Sequence, residues 1–175
     1  MSMTERSLYS FCPYDGEPLV MDPRQHEGRP GCRRCGFVDY QNPRPCVDVV
    51  VFHDDKVLLA RRAIEPARGM WDFPGGFSEA GETAEETAVR EVLEETSLQV
   101  RVTGYLGSLP DVYGDRQLPI LSLCFTAEVL GGEPHAQSDV ADLAWFGRGD
   151  LPEQMAFAHQ KQLVRWCKEG RGGLQ

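Results

Sequence analysis

The 23 residues from Gly76 to Leu98, GFSEAGETAEETAVREVLEETSL, constrain this chain more than any other segment. Thr83 followed by Glu86 has the spacing of a capping box and predicts the start of a helix. At about 100° per residue, Glu94 and Glu95 lie about 60° to one side and about 40° to the other side of Glu91, so three carboxylates share one wedge. Like charges at these spacings repel, and a helix C-terminus is already the negative end of the macrodipole. A bound divalent cation reverses both penalties, because clustered carboxylate oxygens are the ligands that Mg²⁺ and Mn²⁺ select. A solvated acidic face is the alternative, and the surroundings must decide between them. Ala88, Val92, Val89 and Leu93 form the apolar side of the same helix, at about 60° to 200° on this wheel, and are expected to pack inward.

At 175 residues and 41% hydrophobic content, the chain suits one main domain with a small appendage. A formal net charge of −9 argues against long nucleic acids held through their phosphates, but not against a small phosphate ester held through metal ions. The N-terminus MSMTERSLYS has no apolar signal region and no run is long enough to span a bilayer, so a cytoplasmic protein with no membrane partner is expected. Of six cysteines, Cys32 and Cys35 have the spacing of a metal knuckle, whereas Cys46, Cys124 and Cys167 read as isolated, reduced residues.

Residues 11–43 are rich in Pro, Gly, Arg and Cys without a sustained apolar period, so a boundary is expected at 43–45, after a tail at 1–10. VDVVVF (47–52) and VLLARR (57–62) read as a hairpin around HDDK. AIEPARGMWDFPGGFSEAGE is too rich in breakers for regular structure. Strands are predicted within 98–109, 120–130 and 142–146, a closing amphipathic helix at 155–169, and a tail at 171–175. The fold class is α/β, a mixed sheet flanked by helices over 44–170.

The order Gly76, Glu82 after five residues, Arg90 and Glu91 after seven more, then Glu94 and Glu95, resembles the Nudix box, G-x5-E-x7-R-E-U-x-E-E-x-G-U with U aliphatic. Only Ser97 departs, standing where that pattern has glycine just past the helix, where a positive φ suits glycine. VLLARR, GMWDFPGG and LAWF also look like that family, so the resemblance runs from about residue 44 to 157. It implies an α/β/α sandwich and a Mg²⁺- or Mn²⁺-dependent hydrolase of a phosphoanhydride. Glu91, Glu94 and Glu95 would hold the metal, with backbone help from Gly75 and Gly76. Arg90 belongs to the candidate catalytic set, yet its expected job is to pair with Glu82 and pin the loop to the helix. Asp139 stands where relatives often place a general base, though a plain turn residue is an equally good reading. Arg61 or Arg62 would meet phosphate oxygens or else form a surface ion pair. Trp71, Tyr113 and Phe157 are candidates to stack on a base, although aromatics at such positions are more often core.

FCPYDGEPL followed by GCRRCGF has the two knuckles of a zinc ribbon, with Cys12, Asp15, Cys32 and Cys35 as the ligand set. Asp15 replaces a cysteine; it ligates through oxygen, His26 takes its place, or the site has decayed. A ribbon ahead of a Nudix domain is similar to pyrophosphatases acting on ADP-ribose, FAD or NADH, although the SQPWPFP motif of dedicated NADH pyrophosphatases is missing. The resemblance also implies a homodimer. Two other readings stay open: a nucleotide-sensing module that uses the ribbon to bind a partner, and a pyrophosphatase of oxidised nucleoside triphosphates.

Overall fold

The computed structural model describes residues 9–21 and 28–171, and the chain divides into units at 1–43 and 44–175. The tails expected at 1–10 and 171–175 lie mostly outside the described residues, as does His26. Among the described residues no helix is long and apolar enough to cross a membrane.

The first unit pairs two short antiparallel strands, β1 (Val20–Met21) and β2 (Pro30–Gly31). Its two knuckles repeat one backbone pattern. Gly16 N–H donates to Cys12 O and Gly36 N–H to Cys32 O, both at 3.0 Å. Gly16 and Gly36 have φ of 73° and 78°, the left-handed turn that folds Cys12 towards Asp15 and Cys32 towards Cys35.

The second unit is a six-stranded mixed sheet with a helix against each face. β3 (Arg44–His53) and β4 (Lys56–Arg62) form the expected hairpin. β5 (Trp71–Asp72), α1 (Ala84–Thr96), β6 (Gln99–Tyr113), β7 (Leu118–Gly131), β8 (Val140–Gly147) and α2 (Gln160–Lys168) follow. The strand order is β5-β4-β3-β7-β6, with β8 on the other side of β4, and β3 runs parallel to β7. β3 alternates with period two between two cores. Val47, Val49 and Val51 join Ala88 and Val92 on the α1 face, while Val50 and Phe52 join Leu163 and Val164 on the α2 face. This arrangement is the expected α/β/α sandwich.

β3 and β4 stay paired for only two residue pairs, Phe52 with Val57 and His53 with Lys56, and then separate. The loop after β5 enters the gap. Val49 N–H donates to Pro74 O and Val47 N–H to Gly76 O, each at 2.8 Å, and Cys46 bridges Phe77. A loop read as irregular therefore contains a short strand and a stretch that pairs with the sheet. β3 presents orphaned donors there that only a nearby carbonyl row can satisfy.

α1 opens with the expected capping box: Glu86 N–H donates to Thr83 Oγ1 and Thr83 N–H to Glu86 Oε2. Its burial corrects the expected inward face. Ala88 and Val92 are fully buried, but Val89 and Leu93 are 38% and 46% exposed, and Glu95 is buried instead. The buried arc is turned by roughly 80° towards the carboxylates on a 100° wheel. Residues beyond the helix enforce this by capping its last carbonyls. Gln137 N–H donates to Glu95 O and His135 N–H to Thr96 O.

The closing helix starts at Gln160, later than expected, because the residues before it are committed to the sheet. Ala156 N–H donates to Trp71 O at 2.8 Å, and His159 N–H to an Asp111 carboxylate oxygen at 2.9 Å.

Ser97 caps α1 at φ 63°, a left-handed conformation that costs a residue with a Cβ about 1 kcal/mol. Ser97→Gly loses an exposed hydrogen bond from Gln137, and glycine adds freedom to the unfolded chain. The relief of strain outweighs both, so urea unfolding of Ser97→Gly is expected to show a higher midpoint at unchanged slope, by about 0.5 kcal/mol.

Candidate active site

The end of the sheet where β3 and β4 part opens into a cavity of about 540 Å³, of the size that holds a nucleotide-sized ligand. α1 supplies Glu91, Glu94 and Glu95 to its wall, the loop supplies Gly75, Gly76 and Phe77, and the turn before β8 supplies Asp139. Sequence positions spread from 46 to 160 meet there.

The glycines explain how the loop comes so close to the helix. A Cβ on Gly76 would stand 2.4 Å from Glu91 Oε1, and one on Gly75 would stand 2.1 Å from Val47 O. Gly75 N–H donates to Glu95 Oε2 at 3.1 Å, while Gly76 O accepts from Val47 N–H and keeps a second lone pair.

Arg90 and Glu82 form the expected pair in bidentate geometry, Nε to Oε1 at 2.6 Å and Nη2 to Oε2 at 3.0 Å. The Arg90 bond, with help from Glu79 N–H, holds the Glu82 carboxyl down at about 2. The guanidinium reaches further than its wheel angle suggests. It donates to Phe77 O at 3.1 Å, Glu91 Oε1 at 2.9 Å and Glu94 Oε2 at 3.2 Å. One side chain thus joins the loop, its glutamate and two of the three carboxylates.

Glu95 is 7% exposed, and the Gly75 N–H is the one hydrogen bond described for its carboxylate. Burial pushes its pKa up to about 9, and the charges of Asp72 and Asp139 act in the same direction. Glu91 is raised too, chiefly by burial, against the pull of Arg90. Glu91, Glu94 and Glu95 offer hard, mutually repelling carboxylate oxygens on one cavity wall, and that donor chemistry fits Mg²⁺ or Mn²⁺.

Below the carboxylates lies a buried polar network that the sequence reading missed. Asp48 accepts from Gln160 Nε2 at 2.7 Å, from His159 Nε2 at 2.8 Å and from Ser122 Oγ. The Gln160 amide also donates to Asp72, which takes Arg62 Nη1 at 2.8 Å. His159 Nδ1 lies 2.7 Å from Asp111. With a carboxylate at each ring nitrogen, both nitrogens must carry protons and the ring is an imidazolium. Burial alone would lower its pKa; the bond and charge of Asp48, then those of Asp111, outweigh burial and push it up to about 9. The Asp72 carboxyl is also raised, to about 6, by burial and then by the charge of Asp48. One signal was readable in advance: Asp48 is a lone charge in an otherwise apolar buried strand.

The remaining candidates divide. Arg62, Tyr113, Phe157 and Asp139 line the cavity. Arg62 forms an ion pair, but a buried one with Asp72, and its Nε donates to Pro66 O at 2.7 Å. Arg61 lies elsewhere, donating to Gly69 O beside a separate surface hollow with Arg68 and Asp142. Trp71 packs edge-on against Phe146 beside the α2-side core. Phe77 takes the wall position instead, 5.3 Å from the Tyr113 ring.

In the first unit, Cys12, Asp15, Cys32 and Cys35 gather their ligand atoms within 4.8 Å of one another. Cys12 Sγ and Cys35 Sγ are 3.5 Å apart, and Cys32 Sγ is 3.4 Å from an Asp15 oxygen. Those separations are close to the edges of a tetrahedron built on zinc–sulfur and zinc–oxygen bonds of about 2.3 and 2.0 Å. The three remaining cysteines, Cys46, Cys124 and Cys167, are buried and free, with their thiol pKa values raised chiefly by burial.

The model of the NUDIX domain matches residues 42–167. The chain belongs to the NUDIX family. It is 38% identical over 130 residues to an ADP-ribose pyrophosphatase of Methanocaldococcus jannaschii, covering 73% of this chain and 76% of that one. It is 34% identical to the NAD-capped RNA hydrolase NudC of Pseudomonas fluorescens, covering 90% of this chain but 54% of the relative, so it spans about half of that protein's length. Among solved structures, a NUDIX hydrolase from Nitrosomonas europaea superposes with a TM-score of 0.76 at 28% identity, covering 92% of each chain. The NUDIX domain of Shewanella oneidensis NrtR, complexed with ADP ribose, superposes with a TM-score of 0.59 at 28% identity, covering 74% of this chain and 88% of that one.

Proposed function

We propose that this NUDIX protein hydrolyses the phosphoanhydride of a nucleoside diphosphate linked to a second group, with ADP-ribose first among the substrates and FAD and NADH next, releasing AMP. The observation that carries the reading is the complete carboxylate triplet on a cavity wall that also offers aromatic side chains. A protein that only senses a nucleotide has no need of all three metal ligands, which favours the enzyme over the sensor. The ADP-ribose pyrophosphatase relative supports the substrate class.

Glu91, Glu94 and Glu95 are the side chains that would hold Mg²⁺ or Mn²⁺, with the second lone pair of Gly76 O available as a backbone ligand. The metal, when bound, supplies charge for the phosphoryl oxygens and lowers the pKa of a bound water. The chain's own residues do the rest. Arg90 fixes Glu91 and Glu94 to the loop through Glu82 and Phe77 O. Asp139, beside the triplet, is the candidate to take the proton of the attacking water. Arg62, held by Asp72 and Pro66 O, presents its remaining N–H groups to the cavity as donors for phosphate oxygens. Tyr113, Phe157 and Phe77 form the aromatic wall offered to a base. A free nucleoside diphosphate derivative rather than an RNA-borne cap is the proposed substrate, given the net charge of −9. A cytoplasmic homodimer completes the proposal.

Incubation with Mg²⁺ and ADP-ribose, FAD, NADH, an NAD-capped RNA or an oxidised nucleoside triphosphate, followed by chromatography, is expected to yield AMP from one of the first three. Release of inorganic pyrophosphate from the triphosphate would contradict the reading. Glu94→Gln keeps the shape but removes a ligand charge, so turnover is expected to fall at least about 100-fold. Its thermal midpoint without metal is expected to change little, since the repulsion from Glu91 and the exposed ion pair with Arg90 are lost together.

The first unit is proposed to hold one structural Zn²⁺ through Cys12, Cys32, Cys35 and Asp15. Metal analysis of protein purified without chelator should find one zinc per chain, lost in Asp15→Ala and retained in Asp15→Cys. No zinc in the wild-type protein would overturn the assignment.

A further inference from the structure

The His159 clamp joins the two segments that carry the aromatic end of the cavity. His159 follows Phe157 by two residues, and Asp111 precedes Tyr113 by two on β6. The ring and the backbone N–H of His159 both meet the same Asp111 oxygen, at 2.7 and 2.9 Å. On its other side the ring is held 2.8 Å from Asp48, on the cavity floor. Phe157 stacks on His159 at 6.1 Å and 22° and faces Tyr113 at 5.6 Å and 31°; Tyr113 meets Phe77 edge-on at 5.3 Å. The Arg62 guanidinium lies 5.1 Å from the Phe157 ring centre. Phe157 is thus held by a cation and a stacked ring while contributing to the cavity wall.

We propose that His159 is a positioning residue for base recognition: by tying Asp111 to Asp48 it fixes the spacing of Tyr113 and Phe157, and so sets affinity for the purine end of the substrate and not the rate at the phosphorus. No group of His159 takes part in the proton transfers of hydrolysis. Both of its ring nitrogens are committed to Asp48 and Asp111, away from the three metal-site glutamates. The inference rests on the proposed substrate class, because it presumes that an adenine occupies the aromatic end. Its chemistry is specific: an imidazolium donates to two carboxylates at once, whereas glutamine at 159 can donate to only one of them and brings no charge, so the other keeps only its neutral donors and the tie between Asp48 and Asp111 is lost.

The test uses His159→Gln and the milder Asp111→Asn, each in the full chain, with two probes that need no turnover. AMP carries the base; imidodiphosphate carries only the metal-binding diphosphate. Calorimetry in Mg²⁺ is expected to show AMP binding weakened about fivefold to tenfold in both variants, the scale of an aromatic contact, with imidodiphosphate binding changed less than twofold. KM for ADP-ribose should rise by the same factor at nearly constant kcat. Equal weakening of both probes, a fall in kcat at constant KM, or unchanged AMP binding would overturn the inference, as would absence of AMP binding to the wild-type protein. If His159→Gln does not fold, Asp111→Asn alone decides. Should the wild-type protein bind AMP yet leave ADP-ribose intact, the proposed reaction fails while the binding comparison still judges the clamp.

Discussion

The parting of β3 from β4 after two residue pairs is the constraint on which the rest of this structure depends. It leaves the inner edge of β3 with unpaired donors, and the segment from Pro74 to Phe77 satisfies them as a strand would. Because that segment is anchored to the sheet, Gly76 stands close enough to Glu91 to exclude any side chain of its own, and Gly75 N–H meets Glu95. The same parting opens the floor where the Gln160 amide spans from Asp48 on β3 to Asp72 on β5. Loop, helix and floor are therefore consequences of one local departure from regular pairing.

What the parting creates is a concentration of negative charge in a partly dehydrated space. Three positive groups of the chain answer it in separate places: Arg90 at the rim, Arg62 at Asp72, and the His159 imidazolium between Asp48 and Asp111. None of them meets Glu95, whose raised pKa marks the position where positive charge is still lacking. The crowding of Glu91, Glu94 and Glu95 that local helix energetics oppose is thus concentrated where a small divalent cation can relieve it.

Much of this was legible in the sequence, and for identifiable reasons. The capping box and the hairpin follow from spacing alone, because their partners are close along the chain, and the Glu82–Arg90 pair follows from the family resemblance. The rotation of α1 was not legible. An apolar count places Leu93 inside, but the caps that Gln137 and His135 place on the last carbonyls turn Glu95 inward. Nor was the network below the site, since Asp48, Asp111 and His159 are joined only by the fold. The delayed start of α2 has the same origin: Ala156 and His159 satisfy the sheet before the helix can claim them.

If Glu91, Glu94 and Glu95 form a divalent-cation site in the protein itself, the ion binds before any substrate arrives. A titration of the metal-free protein with Mn²⁺, following the paramagnetic resonance of the free ion, tests it most directly. Saturable binding that is lost in Glu91→Gln is the predicted result. Absence of saturable binding up to millimolar Mn²⁺, or binding that survives loss of Glu91 unchanged, would rule out a cation site on this wall.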